Sequence, residues 1–362
     1  MRIFVASSYG WWGDFSPNDI VEGNRQVGGG ETAMVNISKE LAGLGHEVFV
    51  FYATRSGQFD GVDYLSPDLF VPMVTQIEHD ILVAWDASWA FRFRDRAKAR
   101  VLAFQLNDAQ IGVYDWVIDK YFHPSQWHAD RFRELYPEIT EDKQLAQVTN
   151  GIDFNRYTEQ SFEPRKWNRI VYSSSPDRGL HHLLRIWPRI VDKVPEAELH
   201  IFYDLEKWLE LDAIIGDRSP THDRANAVRV AVNDPPKNVV FRGGIGQGQL
   251  SAEHVKSSIL AYPCDPVSPT EGFSMTVLEG IVAGCDVVIS DADAFPELWG
   301  NAPGVTMLPL PFDDDLWTSV LVEKMQNGNG VEQELRIRPN MSWKSIARKW
   351  ATELTLCLKP TT

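Results

Sequence analysis

Short apolar runs alternate along the chain with longer stretches whose apolar positions recur every three or four residues, the pattern of buried parallel strands joined by amphipathic helices. "RIFVAS" reads as a buried strand. After a polar and aromatic loop, "GGGETAMVNISKELAGLGHEVFVFYA" places Met34, Ile37, Leu41 and Leu44 at helical spacing and Gly45 where a helix C-cap belongs. It then returns to a strand in "EVFVFYA", completing a β-α-β unit. "DILVAW", "RVLAFQL" and "YFHPS" extend the same sheet. Turn residues with few periodic apolar positions in "VTNGIDFNRYTEQSFEPRKWN" mark a junction near residues 150 to 168.

A second cycle begins with the strand "RIVYS". Residues 179 to 194 follow, with Leu180, Leu183, Leu184, Trp187, Ile190, Val191 and Val194 on one helical face despite Pro188. "ELHIFY", "NVVFRG", "SILAYP" and "DVVIS" continue as strands. Two such cycles predict an α/β chain of two doubly wound domains facing each other across a cleft. The expected division is a first domain over residues 1–152, a linker over 153–168 and a second domain over 169–338. A C-terminal helix over 339–362 presents Trp343, Ile346, Ala347, Trp350 and Leu354 and is expected to pack across the domains.

Composition adds limits. With 362 residues, 44% of them hydrophobic and 23% charged, the chain has the apolar material for two cores and does not read as disordered. A net charge of −15 turns the overall field against nucleic acid unless a basic patch is set aside for it. Cys264, Cys285 and Cys357 form no Cys-x-x-Cys pair, which points to a reducing compartment, the cytoplasm, and to no zinc site. No run of 18 apolar residues occurs and "RIFVAS" is not a signal peptide, so neither a membrane span nor an export address is expected.

In a doubly wound fold, ligands bind where loops leave the carboxyl ends of strands and enter helices. "VGGGE", ending in Gly28 to Glu31, lets backbone approach a phosphate closely, or is a plain turn. "SSSPDRG" brings three hydroxyls and Arg178 before a helix; the guanidinium suits a diphosphate, and the alternative is a simple helix cap. In "PTEGFSMTVLEG", Glu271 and Glu279 stand eight positions apart around a Gly272–Phe273 corner. A helix starting near Ser274 aims its N–H groups at an anion, while carboxylates accept hydrogen bonds from sugar hydroxyls. Eight helical residues span roughly 12 Å, the reach of ribose, diphosphate and a second sugar. These residues point to a nucleotide sugar.

"EGFSMTVLEGIVAGCDVVISD" resembles the Glu-x7-Glu signature of family four of the retaining GT-B glycosyltransferases, and "GGGE…LAGLGHEV" and "TNGID" resemble further landmarks of that family in the same order. The resemblance spans nearly the whole chain. It implies two Rossmann-like domains, an acceptor-binding one and a nucleotide-sugar-binding one, with a C-terminal helix crossing back. By that resemblance Glu271 contacts the donor sugar's hydroxyls and Glu279 the ribose. Gly272, Phe273, Ser274 and Met275 hold sugar and diphosphate through their backbone. Arg178 neutralises the leaving phosphate, Gly29 and Gly30 close over it, and Ile245 in "FRGGIGQG" meets the base. The family's further arginine is missing, with Ser174 or Ser175 near its place, and its first-domain His-Asp pair corresponds to Asn107 on the acceptor side and Asp108 among the catalytic residues. Ser274 replaces a glycine and Asp286 a proline.

The implied reaction is metal-independent, cofactor-free transfer of a hexosyl or pentosyl group with retained configuration, from a UDP-sugar in preference to a GDP-sugar, to a hydroxyl. A nucleotide-sugar epimerase and a non-catalytic sugar-nucleotide binding module are the alternatives. "DADAF" and "DDD" formally match a metal-binding Asp-x-Asp but read as capping or solvated acids, and His181-His182, His123 and His128 read as structural. On a helix, "FRFRDRAKAR" would align Arg92, Arg96 and Arg100 into a basic stripe, either a solvated face or a site for a polyanionic acceptor such as nucleic acid or an anionic membrane surface. Trp11 and Trp12 could stack on a sugar or base, or cover a domain edge.

Overall fold

The computed structural model describes residues 1–7, 15–21, 25–52, 55–105, 115–137, 144–158, 163–327, 336 and 338–358. The chain divides into two units. The first comprises Met1–Glu22, Val27–Ile152 and Pro339–Thr362, and the second comprises Gly23–Gln26 and Asp153–Arg338.

In the first unit, the strands are β1 (Arg2–Ser7), β2 (Glu47–Phe51), β3 (Gly57–Phe59), β4 (Val62–Leu65), β5 (His79–Trp85), β6 (Ala97–Ala103), β7 (Lys120–His123) and β8 (Gln144–Gln147). They lie in the order β3-β4-β2-β1-β5-β6-β7-β8, and every pairing is parallel except the β3–β4 hairpin. Phe4, Val5, Ile81, Leu82, Val101 and Leu102 are buried to 3% exposure or less, because helices cover both faces of a parallel sheet. Gly45, at φ +88°, ends the Gly29–Gly43 helix in the left-handed conformation foreseen for it.

The C-terminal helix, Trp343–Cys357, belongs to this first unit and packs on the Gly29–Gly43 helix. Its expected face is buried; Trp350 stacks on Trp85 at 5.4 Å and meets Phe122 edge-on at 4.7 Å, and Glu353 pairs with the buried Lys120. Where the chain leaves and re-enters the unit, Ile152 donates its N–H to the Met341 carbonyl and bridges Ser342 in parallel.

The second unit holds β9 (Lys166–Tyr172), β10 (Glu198–Ile201), β11 (Val239–Phe241), β12 (Ser257–Tyr262), β13 (Asp286–Ser290) and β14 (Val305–Leu308). The order is β11-β10-β9-β12-β13-β14, all parallel. The expected helix appears as Leu180–Lys193. The described part of residues 153–168, expected as a linker, is built into the second unit. It includes the Asn155–Thr158 helix with a buried Tyr157, Arg165 donates to the carbonyls of Ser257 and Ala283, and β9 already starts at Lys166. Among the described residues no helix is long and apolar enough to cross a membrane.

The helical stripe expected over residues 91–100 does not exist. Arg92 ends the short 3₁₀ turn Ser88–Arg92, Arg96 lies in the connection to β6, and Arg100 is inside β6. Arg100 forks onto Asp95 at 2.8 and 2.9 Å, and Arg96 sits 3.4 Å from Glu78. Arg96 enters β6 beside the start of β5, at the amino-terminal end of a parallel sheet, opposite to the end where such folds bind ligands. Positions 97 to 101 alternate small or apolar with basic residues, the period of a strand, and this local pattern prevails.

Candidate functional site

In the second unit the strand order reverses between β9 and β12, so the loops leaving those two strands form the switch point at which doubly wound sheets bind ligands. Both loops hold sequence-predicted residues. After β9, Tyr172 donates its hydroxyl to the Ser175 carbonyl at 2.7 Å, the Arg178 N–H returns to the same carbonyl at 3.1 Å, and Ser175 Oγ donates to Asp177. Ser174 is half-buried between them. Gly179 then enters the Leu180–Lys193 helix at φ +105°, and a Cβ there would run into the Pro263 carbonyl oxygen.

After β12, Glu271 is 2% exposed. Its Oε1 accepts from the Tyr262 hydroxyl at 2.8 Å and from the Arg178 guanidinium. Burial alone would pull Arg178 down, but the Glu271 carboxylate, with smaller help from Tyr262 and Asp177, holds it well above the usual range, so it stays a cation. The Thr270 and Glu271 N–H groups donate to Asp293 Oδ2 at 2.8 and 2.9 Å, which fixes the backbone that carries Glu271.

Gly272 and Phe273 turn the corner, with Trp299 Nε1 donating to the Phe273 carbonyl at 3.0 Å. Ser274 then takes φ +72°, the left-handed region that favours glycine, the residue it replaces in the pattern the sequence resembles. Its Oγ accepts the Val277 N–H at 3.4 Å as N-cap of the Met275–Val282 helix. Free N–H groups at this helix start face the corner, and Glu279 lies about a turn and a half inside, 7% exposed. No described residue hydrogen-bonds its carboxylate. Ile245 is half-buried just ahead of the Gln247–Lys256 helix, at the carboxyl end of β11.

Burial pushes Glu279 up to about 7, with the Arg156 guanidinium pulling the other way. The folded value lies above the unfolded one, so between the two the unfolded chain loses its proton first and stability falls as pH rises. The fall begins near the ordinary value of 4.5 and levels above about 7. Glu279→Gln should therefore leave stability unchanged at pH 4 and raise it by about 3 kcal/mol at pH 8. Urea denaturation of both proteins across that range measures the difference; a gap that does not widen with pH would contradict it.

The remaining expectations divide. Gly29 and Gly30 open the Gly29–Gly43 helix of the first unit behind an N-cap at Gly28, and Glu31 in its first turn accepts from the Tyr52 hydroxyl at 3.1 Å. Trp11, Trp12, Asn107 and Asp108 lie outside the described residues. Asp313 caps Leu316 N–H at 2.8 Å, and Asp314 and Asp315 pair with Arg185 and Arg189. His181, His182 and Asp265 bring donor atoms within 4.8 Å of one another, but a cation there would face Arg224, 3.6 Å from the Asp265 carboxylate, and the positive end of the Leu180–Lys193 helix. Asp293, in the "DADAF" read as capping or solvated acids, instead accepts from the backbone that carries Glu271, and sequence reading gives no sign of Tyr262 and Arg224, which no local pattern announces.

No family model matches the chain. Among curated proteins, an MMP α-(1→4)-mannosyltransferase of Mycolicibacterium hassiacum is 27% identical over 216 residues. That match covers 57% of this chain and 46% of the relative, so the chain spans less than half of the curated relative's length. Among solved structures, sucrose-phosphate synthase from Thermosynechococcus elongatus matches with a TM-score of 0.66 at 11% identity, covering 98% of this chain and 99% of that one. Anabaena HepE, solved with UDP and glucose, matches at 0.60 and 14% identity, covering 99% and 97%. The likeness to such structures gives the fold: two parallel-sheet α/β units of the GT-B glycosyltransferase type.

Proposed function

We propose that the chain is a retaining glycosyltransferase that moves a sugar from a UDP-sugar to a hydroxyl acceptor. One observation carries the reading: Arg178 and Glu271, 93 positions apart, meet at the switch point beside a helix start, with the buried carboxylate of Glu279 further along the same helix. A mannosyltransferase relative and a structural neighbour solved with UDP and glucose support it. The sugar would lie against Glu271, the diphosphate against Arg178 and the backbone of Gly272 to Met275, and the ribose against Glu279, with the base near Ile245.

In the reaction, the bond between the anomeric carbon and the diphosphate oxygen breaks as the acceptor oxygen bonds that carbon on the same face, and the acceptor's proton passes to the leaving phosphate. Arg178 and the helix N–H groups stabilise the charge that develops on that phosphate, without a metal ion. With the stripe at residues 91–100 absent, the structural argument for a polyanionic acceptor lapses, and the acceptor is proposed only as a hydroxyl compound. Thermal unfolding with UDP- and GDP-sugars tests the donor. A ligand at a hundred times its dissociation constant adds about 2.7 kcal/mol, and UDP-sugars should stabilise while GDP-sugars should not. Release of UDP only with an acceptor present marks a transferase; interconversion of free UDP-sugars would mark an epimerase instead.

A further inference from the structure

We propose that Arg224, which lies in neither switch-point loop, is a positioning residue that staples those two loops together and so fixes the backbone that carries Arg178 at the site. The inference rests on the donor-site reading above for its consequence, though not for its geometry. Arg224 Nη1 donates to the Asp177 carbonyl at 2.8 Å and to the Asp265 carbonyl, and Nη2 lies 3.6 Å from Asp265 Oδ2. Asp177 immediately precedes Arg178 in the loop after β9, and Asp265 lies in the loop after β12 that leads to Glu271. One guanidinium thus bonds the backbone on both sides of the strand-order reversal.

The clamp has a firm base and a second tie. Arg224 lies on the His222–Asn233 helix, whose Ala225, Val228 and Ala231 are buried. The buried Asp212 carboxylate of the neighbouring Leu205–Ile215 helix anchors it further, accepting from His222 at 3.0 Å and Arg229 at 3.1 Å. At the other end, the Asp265 carboxylate accepts from His182 Nε2 at 2.8 Å, and the His182 ring stacks on Phe312 at 4.2 Å. Burial lowers His182, so the ring is neutral near pH 7 and acts as a donor to Asp265. Reaching two carbonyls with one nitrogen while the other faces a carboxylate takes a planar fork, and lysine offers only a single flexible ammonium.

Hydrogen exchange in the ligand-free protein tests the clamp directly. In Arg224→Ala, amides of segments 173–179 and 263–272 should exchange at least about tenfold faster while β9 and β12 keep their protection, and Arg224→Lys should fall between. Unchanged exchange in both segments, or faster exchange throughout the unit, would overturn the proposal. Calorimetry with UDP then tests the consequence through a double-mutant cycle. Arg224→Ala should weaken UDP about tenfold in the native background and less than about twofold in Arg178→Ala. Equal losses in the two backgrounds would show that Arg224 does not act through Arg178. If the native protein binds no UDP, the donor-site reading fails and the exchange result alone decides the clamp.

Discussion

Replacing Glu271 with glutamine is expected to tighten the binding of UDP while nearly abolishing sugar transfer. Arg178, the expected phosphate partner, is bonded to Glu271, the expected sugar partner. An incoming diphosphate has to separate that pair while the buried Glu271 carboxylate repels it. Glutamine keeps the oxygen that accepts from Tyr262 but removes the charge. A unit charge a few ångströms from an anion is worth several kcal/mol at a protein-like dielectric; after the weakened hold on Arg178 is counted, about a tenfold gain in UDP affinity should remain. Transfer should slow by about a thousandfold, because the carboxylate that would accept from the sugar's hydroxyls is gone. Calorimetry with UDP, which lacks the sugar, isolates the first effect, and turnover of a UDP-sugar measures the second. UDP binding that stays the same or weakens would refute the idea of an ion pair that competes with its ligand. By contrast, Glu279→Ala should weaken UDP, since that carboxylate has no competing partner to release.

Gly179→Ala is the second large effect. At φ +105° an L-residue is strained, and here the added Cβ would also collide with the Pro263 backbone carbonyl, which cannot rotate aside as a flexible side chain would. The loop carrying Arg178 must shift away from the loop after β12, at an expected cost of about 4 kcal/mol or more together with loss of UDP binding. Gly45→Ala serves as the comparison. Its φ of +88° is equally unfavourable, but a Cβ there meets nothing within 4 Å, so only the conformational cost of about 1 kcal/mol applies. Urea denaturation of the two variants separates strain from collision; equal losses would show that the Pro263 contact is immaterial.

Most of the framework was readable because it depends on local periodicity. The Leu180–Lys193 helix, the run of parallel strands and the helix start at Ser274 all follow from residues within a few positions of one another. Local signals mislead where two of them compete. In residues 91–100 the spacing of Arg92, Arg96 and Arg100 suits a helical stripe, while the alternation around Lys98 and Arg100 encodes β6. The β3–β4 hairpin was also legible in principle, since Asp60 and Gly61 at φ +50° and +79° form the Asp-Gly turn suited to two-residue connections. At the site, Glu271, Glu279 and Arg178 could be named from spacing and resemblance. Their mutual contact could not, because it arises from strand order, and Tyr262, Asp293 and Arg224 are tied to it only through the tertiary fold.

The discontinuity of the first unit has a consequence during synthesis. Residues 153–338 form nearly all of the second unit as one uninterrupted stretch, which can complete its core as soon as it leaves the ribosome. The earlier-made first unit has to wait, with the surfaces around Trp85 and Lys120 uncovered, until Trp350 and Glu353 emerge and seal it. Birth order and completion order are therefore reversed, and a chain ended before residue 343 would carry one finished body attached to one unfinished body.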